Sequence, residues 1–122
     1  MKKLFLILFC CAIAATPVNH ILAGQSIVSH LKFADYDVFA SNATDGQVAV
    51  YFTGNDAGLR GYVSPGTAEK FGPIPGGTYS VLISTNATGT RTFTLNGQTV
   101  TSSNGFANFT VDVTSNVYIT VQ

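Results

Sequence analysis

The chain has 122 residues, a formal net charge of zero, two cysteines, two histidines and no tryptophan. Only 10% of it is charged and its lysines and arginines are scattered, which argues against a clustered basic face for nucleic acid. Cys10 and Cys11 both lie inside one apolar run near the N-terminus, so the rest of the chain holds no thiol for catalysis, a disulfide or a zinc site.

That run is the first feature in chain order. Met1-Lys2-Lys3 precedes Leu4 to Ala15, which is nearly all apolar, and Thr16-Pro17 then ends it. Lysines, about a dozen apolar residues and a small-residue site ending at Ala23 form a secretory signal peptide, while a membrane span needs roughly 20 apolar residues. The expectation is a leader over 1–23, of a short lysine-led bacterial kind, and a secreted, periplasmic or cell-surface protein over 24–122. The mature part keeps four basic residues (Lys32, Arg60, Lys70, Arg91), six acids and one histidine, His30. At about a hundred residues it is large enough for one domain with one core.

Strand patterns fill that part. Ile27, Leu31 and Phe33 alternate with Val28, His30 and Lys32, predicting a first strand. Asp35-Tyr36-Asp37, Asn42, Asp45 and Gly46 then read as a loop rich in side chains that bond their own backbone. Gln47 to Thr53 is a strand with Val48, Val50 and Phe52 on one face, and Leu59 to Ser64 follows after the polar loop Gly54–Gly58. Asn96-Gly97 suits a two-residue hairpin turn, placing Leu95 opposite Gln98, Thr94 opposite Thr99 and Phe93 opposite Val100. One side of that hairpin is apolar and the other a ladder of Thr92, Thr94, Thr99 and Thr101. Ala107 to Thr114 alternates over eight residues, and Val117 to Val121 repeats the pattern after Ser115-Asn116, predicting a C-terminal hairpin. Seven or eight short strands at this spacing predict an all-β fold, a single antiparallel β-sandwich, with a small barrel as the alternative.

Between these lies FGPIPGGTYSVLIST, Phe71 to Thr85. A phosphate-binding loop would need Lys and Ser or Thr after its last glycine and a helix beyond. Here Gly76-Gly77 opens into Thr78–Ser84, which alternates with Tyr79, Val81 and Ile83 on one face, so the glycines turn the chain into a strand. Proline, glycines and then Thr-Tyr-Ser-Val resemble the loop-to-strand element of transthyretin-like and carboxypeptidase-regulatory-like secreted sandwiches. The resemblance covers about fifteen residues; it implies an accessory β-sandwich whose tyrosine begins a central strand and packs in the core.

Three groups of residues carry candidate chemistry. His30 is the sole mature imidazole, on the face opposite Ile27, Leu31 and Phe33, which leaves serine or threonine nucleophiles without a base and the chain without an expected catalytic site. Asp35, Asp37, Asn42 and Asp45 supply the oxygen ligands that calcium prefers on a turning loop, with Asn55-Asp56 in the next loop, although the spacing fits no EF-hand. Tyr51, Arg60, Tyr62 and Tyr118 fall on faces opposite their apolar neighbours, where they form a shallow ligand-binding platform suited to sugars. Asn42, Asn86 and Asn108 each begin an Asn-X-Thr triplet, which reads as composition in a chain rich in both residues. The expected function is a non-catalytic extracellular binding or adhesion module for a glycan or protein. The alternative is a self-assembling structural subunit of a surface layer, fibre or matrix, joined through an edge strand at Val117–Gln122.

Overall fold

The computed structural model describes residues 34–54 and 57–122. The expected leader, the strand expected over Ile27–Phe33, His30 and the Asn55-Asp56 pair lie outside these residues. The described chain is all-β, with nine strands: β1 (Asp35–Asn42), β2 (Val48–Thr53), β3 (Gly58–Val63), β4 (Ala68–Pro75), β5 (Gly77–Thr85), β6 (Arg91–Leu95), β7 (Gln98–Ser102), β8 (Phe106–Val113) and β9 (Val117–Val121). They form a five-stranded sheet ordered β4-β1-β9-β6-β7 and a four-stranded sheet ordered β3-β2-β5-β8.

Alternation builds both layers. Val48, Val50 and Phe52 of β2, Tyr79, Val81 and Ile83 of β5, and Ala107, Phe109, Val111 and Val113 of β8 are buried on the inner side of the four-stranded sheet. Val38 and Ala40 of β1, Phe93 and Leu95 of β6, and Val117, Ile119 and Val121 of β9 answer from the other sheet, and all belong to one hydrophobic cluster. Each fully buried Val, Leu or Phe contributes about 1.5–3 kcal/mol, so a sandwich-like core of this kind holds the chain together without disulfides.

Nine strands stand where seven or eight were expected, and the two additions have clear causes. The stretch read as an Asx-rich loop is β1, whose polar letters at Asp35, Asp37 and Ser41 occupy outward positions while Val38 and Ala40 point in. The stretch read as a proline-held approach is the greater part of β4, an edge strand that tolerates Pro73 and Pro75 because only one of its sides is paired. A register shift between Tyr36 and Val38 marks where β1 bends against β4.

The C-terminal hairpin is a correction. β8 pairs with β5, and β9 lies in the other sheet, parallel to β1 and antiparallel to β6. Asn116, in the turn between them, accepts the Asp37 N–H at 3.0 Å on its side-chain oxygen and so directs β9 onto β1. The terminal strand is therefore central, its backbone groups spent on two neighbours. It offers no free edge for assembly.

By contrast the Asn96-Gly97 turn pairs Leu95 with Gln98, Thr94 with Thr99 and Phe93 with Val100, as its sequence predicts. Asn96 sits at φ 47° and Gly97 at φ 85°, the positive values that such a turn requires.

Candidate functional site

The outer face of the four-stranded sheet gathers most of the exposed rings and large apolar side chains. Register fixes its rows. Across β3, β2, β5 and β8 one row reads Tyr62, Ala49, Ser84, Phe106, and the next reads Arg60, Tyr51, Leu82, Asn108. At about 4.8 Å per strand, Tyr62 and Phe106 stand roughly 14 Å apart with two small side chains between them. That gap is a shallow depression of about 150 Å3, lined by Gln47, Ala49, Ser84, Thr85 and Asn86. Tyr62 is 49% exposed, Phe106 45% and Leu82 37%, which is far outside the range of the core.

The lower row is held by polar and charged contacts. The Arg60 guanidinium lies 5.2 Å from the centre of the Tyr51 ring, a cation–π geometry that presents its N–H groups beside an apolar plate. Tyr51 and Tyr62 are diagonal neighbours on adjacent strands, and the hydrogen bond to the Tyr62 side chain raises the Tyr51 phenol above its ordinary value of 10. Burial and the Tyr62 charge push the same way, while the Arg60 charge pulls it down. The result is a face with rings, one guanidinium and several small hydroxyls.

Of the four ligand-binding residues expected from sequence, Tyr51, Arg60 and Tyr62 come together here. Tyr118 does not. It stands on the opposite side of the molecule, on the outer face of the five-stranded sheet, stacked on Phe39 with ring centres 5.4 Å apart and planes 11° from parallel. Lys70 lies over Phe39 at 6.0 Å and pairs with Asp37 at 3.0 Å, while Tyr118 stays 58% exposed beside a depression of about 330 Å3 that Phe39, Lys70 and Tyr118 help to line. Leu82 and Phe106 were missed in the sequence reading, yet both were legible. Leu82 is out of phase with Tyr79, Val81 and Ile83, and Phe106 is out of phase with Ala107, Phe109 and Val111.

The four candidate calcium ligands are spread along β1 and past its end. Asp37 and Asn42 are five residues apart on one strand, roughly 16 Å, and Asp35 lies further back. Asp45 pairs with Arg91 at 3.1 Å. Asn42 is buried and fully engaged: its amide donates to the carbonyls of Gly46 and Val63, and its oxygen accepts the Thr44 N–H and hydroxyl. It fastens the β1–β2 connection to β3, and its side chain is no more available to a sugar than to a cation. Among the described residues no three His, Cys, Asp or Glu side chains converge.

A larger cavity of about 560 Å3 opens at one end of the molecule, between Tyr36, Tyr79 and Val113. Ala34, Ala57 and residues 75–77 also line it. No protein-family model matches the chain, and no curated protein or solved structure does either.

Proposed function

We propose that the protein is a small secreted β-sandwich that binds without catalysing, and that its binding face is the Tyr51–Arg60–Tyr62–Leu82–Phe106 surface. The observation that carries this reading is the row structure of that face. Exposed apolar side chains on β3, β5 and β8 share one face with Arg60 on the edge strand and with a depression lined in part by Ala49 and Ser84. Scattered exposed apolar residues are normal on any protein, but a contiguous set rimmed by polar groups marks an interaction surface.

A glycan is the ligand class this chemistry favours. The C–H face of a sugar ring lies flat on Tyr62 or Phe106, and Arg60 and the two phenols supply hydrogen bonds to its hydroxyls. The leader over 1–23 would direct export and be removed after Ala23. Of the three described basic residues, Lys70 and Arg91 are paired with Asp37 and Asp45, in keeping with a partner other than nucleic acid.

The test is a glycan array followed by titration of the best oligosaccharide against the wild type and against Tyr62→Ala, Arg60→Ala and Phe106→Ala. The expected result is binding by the wild type and at least roughly tenfold weaker binding by each variant, with melting temperature little changed. An array with no binding overturns the sugar assignment, and variants that bind like the wild type overturn the face.

A further inference from the structure

The two lateral sides of the molecule are built very differently. On one side β4 carries Glu69, Lys70, Pro73 and Pro75, and Phe71 folds over β3 against Gly61, where an added Cβ would stand 2.5 Å from ring atoms. Charge, proline and a covering ring are the devices that keep an edge strand from pairing with another chain. On the other side β7 and β8 carry no Lys, Arg, Glu or Pro, and their single charge is Asp112 near the end of β8.

Backbone direction shows how much each of these two strands exposes. In an antiparallel pair alternate residues aim both N–H and C=O at the partner. The Thr85 N–H donates to the Gly105 carbonyl at 2.7 Å, which fixes the phase: Ala107, Phe109, Val111 and Val113 face β5, and Phe106, Asn108, Thr110 and Asp112 aim their backbone groups away from it. The same reasoning on the tight β6–β7 turn leaves only Thr99 and Thr101 aimed outward from β7. β8 is thus the longer free template among the described strands.

We infer that β8 pairs antiparallel with β8 of a second copy across a two-fold axis at Phe109, joining the two four-stranded sheets into one of eight strands. Side-chain phase limits the register to shifts of two residues, and the one centred on Phe109 uses all four outward-aimed residues. Phe106 then pairs with Asp112 of the second copy and Asn108 with its Thr110, giving about eight backbone hydrogen bonds. Three observations favour a second copy over a different chain. The strand reads alike in both directions, small or apolar inside and mostly polar outside. Its one charge meets Phe106 rather than itself. The mature part's four basic residues against six acids leave only a small net charge to oppose pairing between copies. The contact does not depend on what the outer face binds, but it makes two such faces continuous.

The test uses the protein purified with its natural N-terminus, by light scattering on a size-exclusion column from about 1 to about 100 µM, where a modest interface of this kind associates. The expected result is a shift from monomer to dimer, with the Phe106, Asn108, Thr110 and Asp112 amides gaining hydrogen-exchange protection as concentration rises while Ala107, Phe109 and Val111 stay constant. Thr110→Pro removes an outward N–H that β5 does not use and should weaken the dimer at least about tenfold. Asn108→Lys, which adds a charge at an exposed side chain, serves if the proline variant does not fold. A protein that stays monomeric throughout overturns the inference. So does a dimer that survives both variants, or one that leaves those four amides unprotected.

Discussion

The two outer faces of the molecule follow the same alternation and end in different chemistry. On the five-stranded sheet, Ser41, Thr120, Thr94 and Thr99 stand in one row across β1, β9, β6 and β7, so the threonine ladder of the hairpin continues over two more strands. Thr94 and Thr99 approach to 3.3 Å and Thr92 and Thr101 to 3.5 Å, and the rings on this side are stacked or covered by Lys70. On the four-stranded sheet the outward positions instead include Tyr62 on β3, Leu82 on β5 and Phe106 on β8. The inner faces do not differ in this way, since both contribute the same valines, isoleucines and phenylalanines. Folding therefore treats the sheets as equivalent, and only the outward half of each strand distinguishes what the two sides can do.

The largest expected effect tests that equivalence. Phe93→Ala in β6 and Phe52→Ala in β2 each empty a buried site of the shared core, and each should cost about 3–5 kcal/mol in urea unfolding. If one is several kcal/mol milder than the other, the two layers do not contribute equally. Next in size is Asn42→Ala, which strips the donor from the Gly46 and Val63 carbonyls and the acceptor from Thr44 in a buried setting. A loss of about 2–3 kcal/mol is expected, because buried polar groups left unpaired are costly. A change of only a few tenths would mean that water replaces the amide.

What the sequence revealed follows the same division between inward and outward positions. Inward alternation is a strong, local signal, and it placed β2, β3, β5, β8 and β9 and the β6–β7 register. β1 was hidden because its outward Asp and Ser letters imitate a loop, and β4 because proline argues against strands in general but not against edge strands. Pairing between distant strands leaves no local trace, so β9 was matched to its sequence neighbour β8 rather than to β1 and β6. The candidate face was half legible for a related reason. Alternation put Tyr51, Arg60, Tyr62 and Tyr118 outside, but which sheet each strand joins decides which of them share a side.

The contrast between the faces sharpens with paired substitutions. Tyr62→Ala or Arg60→Ala should weaken glycan binding roughly tenfold or more while changing stability by less than about 1 kcal/mol. Thr94→Val with Thr99→Val, and separately Tyr118→Ala, should leave binding unchanged, since they lie on the other side. Isothermal titration with the array's best oligosaccharide reads both sets. Binding that fell with the threonine pair instead would move the site to the five-stranded sheet.

The smallest effect separates a core tyrosine from a face tyrosine by pH. Tyr79 is buried near the start of β5, with its hydroxyl donating to the Pro75 carbonyl at 2.7 Å. Burial first, and then the Asp35 charge, raise its phenol above 10, while Tyr51 is raised mainly by its hydrogen bond with Tyr62. A proton held more tightly in the folded state means that these contributions are complete below about pH 10 and are lost as pH rises through the folded values, because the unfolded chain ionises first. Phenolate absorbance should therefore show Tyr79 and Tyr51 ionising above the usual range, and stability should fall on the alkaline side. Tyr79→Phe should flatten that fall at a cost of about 1 kcal/mol near neutral pH. Tyr62→Phe should lower the Tyr51 value and leave Tyr79 where it was. If Tyr62→Phe shifts neither, the two phenols are not joined, and the face is a looser collection of side chains than its register implies.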